Sequence, residues 1–505
     1  MEHGERTSSN QHGLPGELLP AAPLRRSFFK RTGALAGGVV TGATLSTLSA
    51  HMALADDDRR HHDGHRRGRR SDYGELSPTP DQNGDKILAL PKGFEYVTFS
   101  KTGDAFGNGL LVPSRHDGMA AFDGPGHTVR LIRNHEVTAI NAPFPVPGPA
   151  ALKYDAKGTG GCMTLDFDTR RKRLERQFVS IAGSINNCSG GWSRGNTGWM
   201  TCEENVSGVN QGYDKPHGYV YFVPASANSA VPAVPMKALG RFSHEGAVSD
   251  SRGIIYLTED SGNSSGFYRF VPNNPDQPLA GGVLQMLAVN GSPTATLIVG
   301  QVVGLRRPVS WMTIPVSDPN LEGGGMSCFA QGRAAGGAAF NRLEGVFRGE
   351  DGRSMYFVST SGGTVKGPDG DGFGQLWHYI PGEHGDGDEL VLVFESSANA
   401  VLESPDNICI TPNGGVIFCE DDAVGGAPQD THLLAPGITG INRMVGLGPK
   451  GEPFEFAVNI FSDSEFAGAC FSPDGEILFV NIQGEDSPGT GMTLAIWGPW
   501  AKGPL

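Results

Sequence analysis

Six times along this chain an acidic or thiol side chain opens a short apolar run, and in most units a second ligand-type residue closes it 14–16 residues later. The openers are Glu136, Cys188, Glu245, Glu344, Asp406 and Glu465. The closers are Glu203/Glu204, Glu259/Asp260, Thr360, Glu420/Asp421/Asp422 and Asn481. Turn signals such as Asp250-Ser-Arg-Gly253, Asp351-Gly352, Asn413-Gly414 and Asp474-Gly475 lie between them. Each unit therefore reads as a hairpin whose two ends return to one edge of a sheet. Each hairpin delivers two ligand-type side chains to one rim. Carboxylates gathered in one place repel one another unless cations neutralise them, so the pattern predicts a metal site.

The steps between openers are 52, 57, 99, 62 and 59 residues. A recurring step of this size, with one insertion-laden unit, is a blade period. Strand-like runs fill the units, among them Val129–Arg133, Met163–Phe167, Phe267–Val271, Met355–Val358, Val416–Cys419 and Ile477–Val480. Helical periodicity is nearly absent outside the N-terminal segment, and the long third step (272–343) is expected to hold loops and a short helix. The predicted fold is all-β: a six-bladed β-propeller with a metal cluster at its axis, spanning residues 86–505 as one catalytic domain. With 74 Gly, 35 Pro and 38% hydrophobic residues, the chain suits a turn-rich propeller.

The formal charge is −14; residues 1–55 carry five Lys/Arg and three acids, leaving the rest at −16. That balance excludes nucleic acid as a partner. Arg25-Arg26-Ser27-Phe28-Phe29-Lys30 matches the twin-arginine export pattern, and Ala53-Leu54-Ala55 offers a small-residue cleavage site. Between them the run is too rich in Gly, Thr and Ser for a stable membrane span. Residues 1–55 read as a signal peptide that engages the twin-arginine machinery, giving a periplasmic or secreted protein. Residues 56–85, basic and His-rich at their start, are expected to be disordered.

Seven cysteines cannot all pair. Most stand in apolar strand contexts, but Cys188 lies in the polar turn Asn186-Asn-Cys-Ser-Gly-Gly191. It reads as a metal ligand, with a disulfide or an inert thiol as alternatives. Carboxylates and an Asn such as Asn407 form the oxygen set that calcium prefers, whereas a thiolate among them points to an iron-type metal beside the calcium. Arg342 and Glu344 are two apart and would share a strand face, which fits either a phosphate contact beside a ligand or a structural salt bridge. His135 and His244, next to Glu136 and Glu245, would face the other way and pack between blades. Gly191-Trp-Ser193-Arg-Gly195 has the spacing of a hydrolase elbow without the strand–helix setting that would give it meaning.

Taken together, Pro113-Ser-Arg-His-Asp-Gly-Met119, Arg133-Asn-His-Glu136, Asn187-Cys-Ser-Gly-Gly191, Thr201-Cys-Glu-Glu204, Ser243-His-Glu-Gly246, Tyr256-Leu-Thr-Glu-Asp260 and Ser404-Pro-Asp-Asn407 with Glu420-Asp-Asp422 resemble the PhoX-type alkaline phosphatases across roughly residues 90–490. The resemblance implies a six-bladed propeller with Fe3+ and Ca2+ joined by an oxo group. It implies ligands among Glu136, Cys188, Glu203, Glu204, Glu245, Glu259, Asp260, Glu344, Asp406, Asn407, Glu420 and Asp421. Catalytic roles fall to Arg342, Cys188 and Glu344, with Arg342 and Asn187 contacting substrate. The family usually reads Arg-Pro-Glu-Asp where this chain has Arg342-Leu-Glu-Gly345.

The expected function is an exported phosphomonoesterase acting on small phosphate esters as a monomer. Two alternatives stand beside it: a calcium-dependent propeller hydrolase such as a lactonase, and a non-catalytic, metal-stabilised propeller that binds a partner.

Overall fold

Alternation of apolar and polar residues within short runs, punctuated by Gly, Asp and Asn turns, builds the chain from antiparallel strands. The computed structural model describes residues 73–107, 109–365, 371–383, 387–421 and 431–505. All of them belong to one unit running from Gly42 to Leu505. The expected signal peptide, residues 56–72 and Asp422 lie outside the described residues.

The architecture is all-β, with several sheets, and is consistent with a β-propeller. One four-stranded sheet joins His116–Asp123, Thr128–His135, Gly160–Asp168 and Arg173–Ser184, each pairing with the next. A three-stranded sheet follows, Asn187–Trp192, Gly198–Glu203 and Val220–Pro224. The next sheet has nine strands because two units are welded: Arg306–Thr313 pairs with Gly282–Val289 of one and Asp388–Glu395 of the other. This strand comes from the long third step, which also holds the short helix Cys328–Ala334.

Chain ends close the remaining sheets. Glu95–Phe99 pairs with Met492–Trp497, completing a sheet that starts at Phe466–Phe471. Leu76–Thr79 and Leu88–Pro91 extend the sheet of Pro405–Ile410, Val416–Glu420, Arg443–Leu447 and Pro453–Asn459. The ordered fold thus begins ahead of residue 86, where the sequence placed it. Tyr73 is the physical reason: it is buried against Phe94 and Trp500 just past the low-complexity tract.

The first strands of six successive units, His116–Asp123, Asn187–Trp192, His244–Ser249, Leu343–Arg348, Pro405–Ile410 and Phe466–Phe471, touch one another in order, and the last touches the first. Apolar layers fill the space between neighbouring units. In one, Phe267 stacks on Phe357 at 4.2 Å beside buried Trp377 and Tyr379. Each such side chain contributes roughly 1.5–3 kcal/mol on burial.

At the ring's centre the strands are too close for side chains at every position. A Cβ on Gly118 would lie 2.6 Å from the Ser189 Cα, and one on Gly191 would lie 2.3 Å from the Ala247 carbonyl oxygen. Crowding therefore selects small residues in the inner strands. The apolar patterning of the sequence marked the second strand of each unit and the third strand of four, and left most inner ones unrecognised. Among the described residues no helix is long and apolar enough to cross a membrane.

Candidate metal centre

A β-bulge interrupts every inner strand at its start. The pairing of inner and second strands skips at Asp117–Gly118, Cys188–Ser189, Glu245–Gly246, Glu344–Gly345, Asp406–Asn407 and Gly468–Ala469. An extra residue in one strand bends it and re-aims its side chain. In five of the six units the re-aimed residue is an acid or the thiol; in the sixth it is Gly468. The first unit's opener is therefore Asp117, and Glu136 is that unit's closer.

The second strands then sort each acid pair by alternation. Glu203 pairs with Asn187, Glu259 with His244 and Glu420 with Pro405, and these first members turn away from the centre. The Glu203 carboxylate takes bonds from His217 Nδ1 (2.6 Å), the Gly218 and Tyr219 amides and the Tyr221 hydroxyl. Glu259 accepts from the Tyr268 hydroxyl (2.5 Å) and the Gly266 amide. Glu420 is clasped by Arg443 through Nε (2.7 Å) and Nη2 (2.6 Å). Their oxygens are committed to tying strands together, and none joins a metal-capable group. The residue one step further, Glu204, Asp260 or Asp421, follows the strand end; Glu204 and Asp260 join the groups, while Asp421 acts on them through its charge.

Four groups result, each with its ligand atoms within 4.8 Å of one another: Cys188/Glu204/Glu245, Asp117/Glu136/Glu465, Glu204/Asp260/Glu344 and Glu245/Glu344/Asp406. The first, third and fourth share residues, and the second is tied to them by charge, Asp406 acting on Asp117. Eight carboxylates and one thiol make up the four groups. Asp117 was not among the residues read from sequence, and Glu465, an opener there, was absent from the ligand set that the resemblance implied. The signal for Asp117 was its register: His116-Asp117-Gly118 repeats His244-Glu245-Gly246. Two other expected site residues lie elsewhere. Asn187 exchanges bonds with Ser184 (2.6 Å) and Thr201 (2.9 Å), away from the groups. Asn407 donates to Asp406 (3.0 Å) and accepts from the Gly468 amide (2.8 Å). Asn186, the neighbour of Asn187 in its turn, reaches the site instead, donating to Glu136 (3.1 Å) and Glu204 (3.2 Å).

The electrostatics of these gathered acids favour cations as partners. Burial, then the charge of Asp421, pushes both Glu136 and Asp406 up to about 7. Burial also holds Asp117, Glu204, Glu245, Glu344 and Glu465 well above the carboxylate range, with the neighbouring acids adding to it. The Cys188 thiol is raised by burial and by Glu245. Glu245 Oε1 is buried with no hydrogen-bond partner among the described residues. An unpaired buried carboxylate oxygen is costly, and a cation satisfies it. The donor set therefore fits calcium-type and thiolate-binding metals.

Hydrogen bonds between neighbouring units hold the ligand-bearing backbone. Asn134, opposite the first bulge, donates to the carbonyls of Cys188 (2.8 Å) and Ser189 (2.7 Å) while accepting from Trp199 Nε1. The Thr258 hydroxyl donates to the Glu344 carbonyl (2.6 Å) and accepts from the Gly246 amide (2.8 Å). Asn481 donates to the Asp117 carbonyl (2.6 Å), and Thr360, read as a closer, donates to the Pro405 carbonyl.

Arg342 lies just before its strand, with a left-handed φ of 48°, and meets Glu344 Oε1 at 2.7 Å and Asp260 Oδ2 at 3.1 Å. The turn and bulge bring Arg342 and Glu344 together, not the period-two face expected from sequence. Glu344 raises the guanidinium pKa further. Of the remaining expectations, all seven cysteines are free and buried. His135 bonds the Ser114 carbonyl and His244 stacks on Phe242, both outside the groups. Ser193 bonds only Thr197 among its described side-chain contacts.

The family model described as alkaline phosphatase PhoX matches residues 71–486. The crystal structure of Pseudomonas fluorescens PhoX in complex with vanadate superposes with a TM-score of 0.59 at 18% identity, covering 87% of this chain and 99% of that one. A Pseudomonas aeruginosa periplasmic gluconolactonase follows at a TM-score of 0.35 and 15% identity, over 84% of this chain and 96% of its own. No curated protein sequence matches. With the family model spanning most of its length, the chain belongs to the PhoX family of alkaline phosphatases.

Proposed function

We propose that this chain is an exported, metal-dependent phosphomonoesterase, a six-bladed propeller whose axial cluster holds Fe3+ and Ca2+. Residues 1–55 are its twin-arginine leader, and the mature protein works in the periplasm or outside the cell. The observation that carries the reading is the convergence of eight carboxylates and one thiol beside the guanidinium of Arg342.

Cys188 with Glu204 and Glu245 suits the softer metal; the three all-carboxylate groups suit calcium. Bound cations would polarise the phosphoryl oxygens and neutralise charge on the leaving oxygen. The chain's own residues do the rest. Asp260 and Glu344 would hold a cation, and the planar fork of Arg342, which lies against both, would then be free to clamp a pair of phosphoryl oxygens. Asn186 holds Glu136 and Glu204 in place through one amide. The bulge carbonyls, pinned by Asn134, Thr258 and Asn481, keep the ligands from relaxing outward.

Elemental analysis of protein exported by the twin-arginine route, followed by assay on p-nitrophenyl phosphate, tests the reading. Iron with calcium, and turnover, are expected; calcium without iron favours a lactonase-type hydrolase. Arg342→Ala should keep the metals and lose roughly 2–4 kcal/mol of transition-state stabilisation. Normal turnover by Arg342→Ala would leave that residue a structural salt bridge.

A further inference from the structure

Arg342 has a counterpart. Arg115 lies two residues before Asp117 as Arg342 lies two before Glu344, and both take the left-handed backbone, with φ of 54° and 48°. Each carbonyl accepts the amide of the facing second-strand end: Glu136 N donates to Arg115 O and Thr360 N to Arg342 O, both at 2.9 Å. A non-Gly residue held at positive φ is strained, and such strain persists where the surrounding structure over-determines it. In the ring of inner strands, the strands that follow Arg115 and Arg342 are three steps apart in either direction. The two arginines therefore stand on opposite walls of the site.

Their partners differ. Arg342 is bound to two acids of the metal-capable groups. Arg115 reaches the cluster through Gln483, whose Oε1 accepts from Nη1 (3.4 Å) and whose Nε2 donates to Glu136 (2.6 Å), and its charge acts on Glu136. The charged partners of Arg115 are Glu485, at 2.7 Å, and Asp486, at 4.0 Å, with side-chain exposures of 32% for Arg115, 68% for Glu485 and 38% for Asp486. An exposed pair of this kind is weak and easily screened. Arg115 is thus a guanidinium at the rim, held by a solvated carboxylate that an incoming anion can replace.

We propose that Arg115 binds a second anionic group of the substrate, so that the site favours bisphosphates: phosphate esters carrying another phosphate beyond the one being transferred. This rests on the phosphomonoesterase reading above. Arg342 takes the transferring phosphoryl group and Arg115 the distal one. A charge-assisted guanidinium–phosphate contact gives a bisphosphate an advantage that a monophosphate on the same carbon skeleton lacks.

The test compares kcat/KM for fructose 1,6-bisphosphate and fructose 6-phosphate in the metal-loaded enzyme and its variants. Arg115→Ala should lower the bisphosphate-to-monophosphate ratio about tenfold, as expected for one lost charged hydrogen bond, and Arg115→Lys should recover part of it. Glu485→Gln, which removes the nearer competing carboxylate at an exposed position, should raise the ratio. An unchanged ratio in Arg115→Ala overturns the proposal; if that variant fails to fold, an unchanged ratio in Glu485→Gln does so instead. Absence of turnover of either ester by the metal-loaded wild type removes the phosphatase reading and this proposal with it. Turnover with unshifted ratios removes this proposal alone.

Discussion

Stripping the metals should leave a protein whose stability falls as pH rises. Without cations the folded cluster keeps protons that the unfolded chain releases: Glu136 and Asp406 are pushed up to about 7, and five other carboxyls are raised further. A carboxyl whose folded pKa is raised contributes stability fully present below its unfolded pKa, and that stability is lost as pH climbs through the folded value. The window therefore opens near pH 4–5 and extends through 7. For Glu136, the move from 4.5 to about 7 is worth roughly 3 kcal/mol at 1.36 kcal/mol per unit. Several coupled neighbours make the whole effect larger than that of one group, and a fall of several degrees in Tm is expected. Thermal unfolding followed by circular dichroism at pH 5, 6, 7 and 8 would measure it, on chelator-treated and metal-reloaded protein. The chelated form should lose Tm across the series while the reloaded form does not, so that the gap widens with pH. A flat or rising Tm in the chelated protein would refute the reasoning, because the acids would then be charged and stably paired without metal.

Cys188→Ser should lose transition metal by elemental analysis yet keep a cooperative unfolding transition, since the apolar layers between units do not depend on it. The acid pairs should divide: Glu204→Gln lowers metal content, whereas Glu203→Gln, which breaks the bond to His217, lowers Tm of the metal-free protein at unchanged metal stoichiometry. Thr258→Val should cost about 1–3 kcal/mol by orphaning the Glu344 carbonyl and the Gly246 amide and should weaken calcium retention in dialysis. Thr258→Ser, which keeps the hydroxyl, should restore both.

The period and the chemistry of the ligands could be read from sequence because both are carried by residue type. Direction could not. Glu203 and Glu204 are identical in composition and adjacent in sequence, yet one ties His217 to its strand and the other faces the cluster. Which is which depends on the bulge at Cys188–Ser189, where one inserted residue shifts the pairing. The same device displaced Asp117, since a hairpin count that takes Glu136 as the opener never reaches the preceding strand. Acid-Gly was the available signal at three of the six bulges: Asp117-Gly118, Glu245-Gly246 and Glu344-Gly345 each put the ligand where the backbone must also come close to the next unit. Asn187 was misplaced for a related reason, being the strand residue before the bulge while Asn186, at a left-handed φ of 47°, turns inward.

Leu343 and Gly345, on either side of Glu344, are both set by packing. Leu343 is fully buried and pairs with Ser359 at the start of the bulge. A Cβ on Gly345 would lie 2.7 Å from the Asp406 carbonyl oxygen and 3.0 Å from the Ile408 amide nitrogen. Those are backbone atoms of the next inner strand, so an aspartate at 345 would push apart the two strands that carry Glu344 and Asp406. These same two carboxylates share a metal-capable group with Glu245. The glycine therefore lets the strands that carry Glu344 and Asp406 approach closely enough for both carboxylates to stand in one metal-capable group.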